Sequence, residues 1–195
     1  RPHGGSTDCA SGSGYRAREH VRKAMMTFQT SMLVLRLVHI LAGIFWAGSV
    51  VVFAAFVYPA ARAAGPAGGR LMNQLMERRR LALGFTLSAA FTILSGIAMY
   101  AMIGADSFGS WMRSPMGMTL GVRAIVAIIA AIIGGGVAAP ASARLKILAT
   151  TQPTPPSAAH VAEFARIQER LGRASATSAV LLVIAATSMA IARYV

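Results

Sequence analysis

Four long apolar runs, separated by polar and basic segments, set the pattern of this chain. The first, Met32–Pro59, exceeds the roughly 20 residues that carry a helix across the hydrocarbon core of a bilayer. At about 100° per residue, its Arg36, His39, Gly43, Trp46, Val50 and Phe53 fall on one stripe. A span that met only lipid would need no such stripe, so this face predicts a packing partner.

The second run, about 81–103, carries Gly84, Ser88, Thr92 and Gly96 at strict i+4 spacing. Small residues at that spacing let helix backbones approach closely where hydrophobicity supplies no drive. The third, about 118–139, repeats the device with Ala127, Ala131, Gly135 and Ala139, and Gly134-Gly135-Gly136 predicts a far end that is flexible or tightly packed. The two stripes together predict that spans two and three form the packed seam. The fourth run covers about 174–192. The fold expected is therefore all-α: a polytopic membrane protein built as an antiparallel four-helix bundle over 31–195, with the first span at about 32–59, preceded by a polar, basic tail over 1–30.

Between the spans, Tyr58-Pro59 predicts the end of the first helix, and Gly65-Pro66 with Gly68-Gly69 a turn. Arg70–Arg80 reads as an interfacial helical turn with a basic cluster at its end. Residues 140–156 read as a linker in which Thr154 caps the next helix and Pro155 occupies its first position. That helix starts polar, with Glu163 and Arg166 at i,i+3 and Glu169 and Arg173 at i,i+4, and runs into the fourth span as one projecting rod. The Gly/Ser-rich tail is expected to be disordered unless a partner holds it. Met25 or Met26 would make an ordinary start just before the first span.

Composition supports this picture. The chain is 55% hydrophobic and 13% charged, against about 25% charged in soluble domains, and its mean hydropathy is +0.59. The net charge of +13 sits in loops and tails, which points to topology and anionic lipid headgroups rather than nucleic acid. Loops one (Arg62, Arg70, Arg78–Arg80) and three (Arg144, Lys146, Arg166, Arg170) are basic, whereas loop two holds only Arg113 and the C-terminus only Arg193. The positive-inside rule then places both termini on the periplasmic side of a bacterial inner membrane, although the basic tail points the other way. Trp111 reads as an interfacial anchor. The single Cys9 excludes an internal disulfide or a multi-cysteine metal site, and the first apolar run is too long for a cleavable signal peptide.

Candidate chemistry is sparse. All six acidic residues (Asp8, Glu19, Glu77, Asp106, Glu163, Glu169) lie outside the spans, so the intramembrane carboxylate expected of a proton-coupled transporter is missing. No nucleophile–base pair, phosphate loop or His-Glu metal motif occurs, and no enzyme activity or cofactor is expected. His39 is the only histidine in a span, which disfavours haem held by two histidines. One constellation competes with plain packing: His39 with Met99, Met102 and Met116, to which Met112 and Met118 lie close. Thioether sulfur and imidazole suit Cu(I), while methionine also fills irregular gaps in membrane cores. Arg36 and Arg123 are the costly residues near span ends. Snorkelling to the interface is the simplest reading of both; Asp106, a lipid phosphate or a partner subunit are the other ways to satisfy them.

His39-xxx-Gly43-xx-Trp46-x-Gly48, followed by Tyr58-Pro59 and Arg62, resembles the first span of copper resistance D (CopD)-like membrane proteins and their four-helix bacterial relatives. The similarity covers mainly 32–62 and extends to Leu94-Ser95-Gly96 and Tyr100 in span two. It implies a compact four-helix membrane bundle and, for true members, a role in copper uptake. The function expected is a non-catalytic accessory subunit of a larger membrane complex, respiratory or photosynthetic, in contact with lipids and other membrane subunits. Gly43, Trp46, Gly84, Ser88, Thr92, Gly96 and Gly135 are its expected packing residues. The alternatives are a CopD-like copper permease and a haem- or quinone-associated redox protein.

Overall fold

The computed structural model describes residues 8–78, 80–104, 108–151, 155 and 157–191, and every regular element among them is helical. In chain order these are α1 (Asp8–Val52), a π-helical turn (Phe53–Val57), α2 (Tyr58–Ala63), α3 (Pro66–Asn73) and a second π-turn (Gln74–Arg78). After these come α4 (Leu81–Ile103), α5 (Phe108–Met112), α6 (Pro115–Ile133), a third π-turn (Gly134–Ala138), α7 (Ala139–Thr150) and α8 (Ala158–Ile191). Four continuous helices are long and apolar enough to cross a membrane: Arg18–Ala63, Leu81–Ile103, Pro115–Thr150 and Ala158–Ile191. The chain is an all-α four-helix bundle.

α1 and α6 run one way, α4 and α8 the other. The start of α1, α5 and the end of α8 therefore share one end of the bundle, the terminal end. Helices α2 and α3 and the turn into α8 share the other, the loop end.

Several boundaries differ from expectation, each for a physical reason. Tyr58-Pro59 does not end the first helix. Its π-turn, Phe53–Val57, widens the backbone just ahead of Pro59 and absorbs the ring and the missing N–H. The chain breaks instead at Gly65, whose φ of +57° suits glycine. Pro140 follows the Gly134–Ala138 π-turn in the same way, so 139–150 is helix rather than linker. The tail is also helical from Asp8, continuing a nucleus that the span has already formed. The helix α8 is capped by Ser157, whose Oγ accepts the His160 N–H at 3.2 Å; Thr154 lies outside the described residues. Glu163 pairs with Arg144 of α7 at 3.0 Å rather than with Arg166, so two helices leave the membrane together, where one was expected.

The packing partners differ too. α4 lies along α1 and α6 along α8, α1 touches α8, and α4 meets α6 only slightly. Spans two and three are thus the loosest neighbours, contrary to the seam expected from their stripes.

The bundle is inside-out relative to a soluble protein. Its buried residues include Ser88, Thr92, Ser95, Ser175, Ser178, Ala130 and Ala174, while Leu37, Leu41, Leu87, Phe91, Ile132 and Val180 face outward. A central layer joins Trp46, Ala130 and Leu182. At the loop end, Phe53, Tyr58, Ala141 and Leu171 form a second core, extended by Phe85 and Met72.

Candidate intramembrane polar site

The α1–α4 contact is built on missing side chains. A methyl placed on Gly43 would sit 3.6 Å from Thr92 Cγ2, one on Gly84 3.5 Å from the Phe45 ring, and one on Gly96 3.0 Å from His39 Cε1. The expected packing roles of Gly43, Gly84 and Gly96 therefore hold, and Trp46 is buried in the central layer. Ser88 and Thr92 line the same contact and satisfy their hydroxyls within α4: Ser88 Oγ donates to the Gly84 carbonyl and Thr92 Oγ1 to the Ser88 carbonyl, each at 2.7 Å. Back-bonding of this kind lets a hydroxyl sit in hydrocarbon with no outside partner.

His39 enters this ribbon from α1. Its Nδ1 lies 2.7 Å from the Thr92 carbonyl and 3.3 Å from Ser95 Oγ. A carbonyl oxygen only accepts, so Nδ1 carries the proton and the lone pair stays on Nε2. An imidazole fixed through one nitrogen and open at the other can accept a hydrogen bond or ligate a metal.

Arg123 is the other charged residue of the interior, and it does not snorkel. It is 6% exposed, and its Nη1 is buried with no hydrogen-bond partner among the described residues. The reason is its face. Arg123 precedes Ala130 by seven residues, two helical turns, on the side of α6 that enters the central layer. His39 precedes Trp46 by the same interval on α1, which runs parallel to α6. Both side chains therefore enter one layer, roughly 10 Å toward the terminal end from Trp46 and Ala130. Arg36, by contrast, is exposed on α1. Asp106 lies outside the described residues.

The methionines divide. Met99 and Met102 are half-buried and continue the face of Ser95 at i+4 and i+7, on the His39 side of α4. Met116 is 65% exposed at the start of α6, and Met112 and Met118 are exposed too. The structure brings together His39 and the face bearing Met99; Met116 stands apart from them. Gly135 faces outward, with nothing within 4 Å of a methyl built on it.

Two contacts had no counterpart in the sequence reading. Ser178 Oγ donates to the Ala130 carbonyl across α6–α8 at 3.2 Å. Tyr58 Oη donates to the Gln168 carbonyl, its ring pressed on Gly172. Ala174, Ser178, Leu182 and Ala185 at near-i+4 spacing carried a signal for the first; nothing local in the sequence signalled the second. Trp111 stacks edge-on against Tyr100 at 4.4 Å, closing the terminal end of α4.

Compared with protein-family models, curated proteins and solved structures, the chain has no significant match in any of the three.

Proposed function

We propose that this chain is a non-catalytic accessory subunit of a larger complex in the bacterial inner membrane, respiratory or photosynthetic, with its termini on the periplasmic side. The observation that carries this reading is the first part of α1. By the α1–α4 register, Ile103 is level with about Met32, so Asp8–Ser31 extends about 35 Å beyond the bundle as a solitary helix. Single helices of that length are marginal in water. This one exposes Val21, Met25 and Phe28 along one face, together with Arg16, Arg18, Arg22 and Lys23. An apolar helical face flanked by basic residues suits a neighbouring subunit with an acidic rim. The orientation follows from the basic loops.

Mild-detergent extraction from native membranes, native separation and mass spectrometry test it. Co-migration with other membrane subunits at fixed stoichiometry is expected, and replacing Val21, Met25 and Phe28 with glutamine should release the chain as a small particle. A wild-type chain that already migrates alone contradicts the proposal.

A copper-handling role is the second reading, favoured by the open Nε2 of His39 beside the face of Met99 and Met102. Metal analysis of the same fractions addresses it. Near-stoichiometric copper lost in His39→Ala would favour this reading, and metal-free protein would end it.

A further inference from the structure

We propose that the crevice between α4 and α6 holds an anionic phospholipid whose phosphate is bound by Arg123. Three observations converge. Arg123 is 6% exposed, and its Nη1 is buried without a partner. A buried cation in that state is costly, and an anionic oxygen is what relieves it.

The second observation is a gap in the ring of helices. α4 and α6 approach where Tyr100 Oη lies 3.7 Å from a methyl built on Gly121. Following the same faces toward the loop end, Ile97 stands at i−3 from Tyr100 and Ile125 at i+4 from Gly121. These two side chains would meet if the helices closed on each other, yet they are 56% and 58% exposed. The gap between them is apolar and opens sideways to the bilayer, which suits an acyl chain and not a soluble anion.

The third is depth. Arg123 is level with about Ile97 on α4, roughly 9 Å inside the Ile103 end, so its long side chain reaches the headgroup boundary. A carboxylate on a partner's helix fits less well, because this chain's own helices already cover the guanidinium.

The test uses the purified full chain, stripped of lipid by detergent, in native mass spectrometry and thermal unfolding with added phosphatidylglycerol, phosphatidylcholine or oleate. Wild type should retain phosphatidylglycerol in preference to the other two and gain thermal stability from it. Arg123→Gln should bind it about tenfold more weakly, the loss of one charged hydrogen bond. Ile125→Trp, an exposed change that leaves Arg123 in place, should block the crevice and weaken binding even if Arg123→Gln fails to fold. Asp106→Asn should leave binding unchanged. Equal retention of phosphatidylglycerol and phosphatidylcholine would overturn the proposal. So would preference for oleate, undiminished binding in Ile125→Trp, or an Asp106→Asn change that alters binding as Arg123→Gln does. Because the chain is tested alone, none of these outcomes bears on the subunit reading.

Discussion

The two ends of the bundle are built by opposite means. At the loop end, Phe53 meets Phe85 edge-on at 6.0 Å and Tyr58 at 6.1 Å, and Tyr58 donates to the backbone of α8. Two π-turns fold proline into the long helices there, so α1 and α6 continue out of the membrane and pair with neighbours. At the terminal end, His39 is fixed through one nitrogen and open at the other, Arg123 is buried with an idle donor, and Asp8–Ser31 stands alone. One end is closed on itself, whereas the other leaves donors, acceptors and a helix face without partners in this chain. Stability is concentrated where groups are satisfied, and binding capacity where they are not.

The largest effect that sharpens this contrast is expected at the loop end. A methyl on Gly172 would already lie 2.8 Å from Tyr58 Cε1. Gly172→Val should therefore cost about 1–3 kcal/mol by overpacking, seen as a lower unfolding temperature in detergent. A variant as stable as wild type would show that this core is not tightly closed.

Arg123→Met should have the opposite sign. Removing an uncompensated buried charge while keeping most of its volume should stabilise lipid-stripped protein by roughly 1–2 kcal/mol. A loss of stability would mean that Arg123 is satisfied within the chain, and the contrast between the ends would weaken.

Gly96→Ala comes next. The new methyl would sit 3.0 Å from His39 Cε1, pushing the ring off the Thr92 carbonyl at a cost of about 1 kcal/mol, one hydrogen bond. The change should appear in the histidine ring's NMR shifts before it appears in stability. Arg144→Gln should matter least. Both partners of the Arg144–Glu163 pair are more than a third exposed, at 54% and 42%, so solvent screening leaves under about 0.5 kcal/mol. A larger loss would mean that the α7–α8 pair depends on charge and not on Ala141, Leu148 and Leu171.

Much of the fold was legible because membrane helices announce their length and their small-residue faces. The stripe His39, Gly43, Trp46 and Phe53 does turn inward, and Gly84, Ser88, Thr92 and Gly96 do form a close contact. The identity of the partner was not legible. A small-residue stripe says that some helix comes near without saying which, and α4 chose α1. The stripe on α6 also drifts, because the π-turn at Gly134–Ala138 adds a residue to the turn and rotates Gly135 and Ala139 outward. Arg123 was misjudged by weighing depth over face. It shares a side with Ala127 and Ala130, and that small-residue side was the one signal that it points inward. The projecting helix was hidden by composition, since Gly and Ser near its start suggest disorder, while the span behind it supplies the nucleus they lack.

Amide hydrogen exchange on the same chain, in native membranes and after purification, measures the difference between the two ends most directly. Peptides from 18–30 should be protected in native membranes and exchange quickly once purified, while those around Phe53–Tyr58 and Leu171–Ser175 stay protected in both. Fast exchange of 18–30 in native membranes, or slow exchange in the isolated chain, would contradict the claim that this helix is completed by a partner.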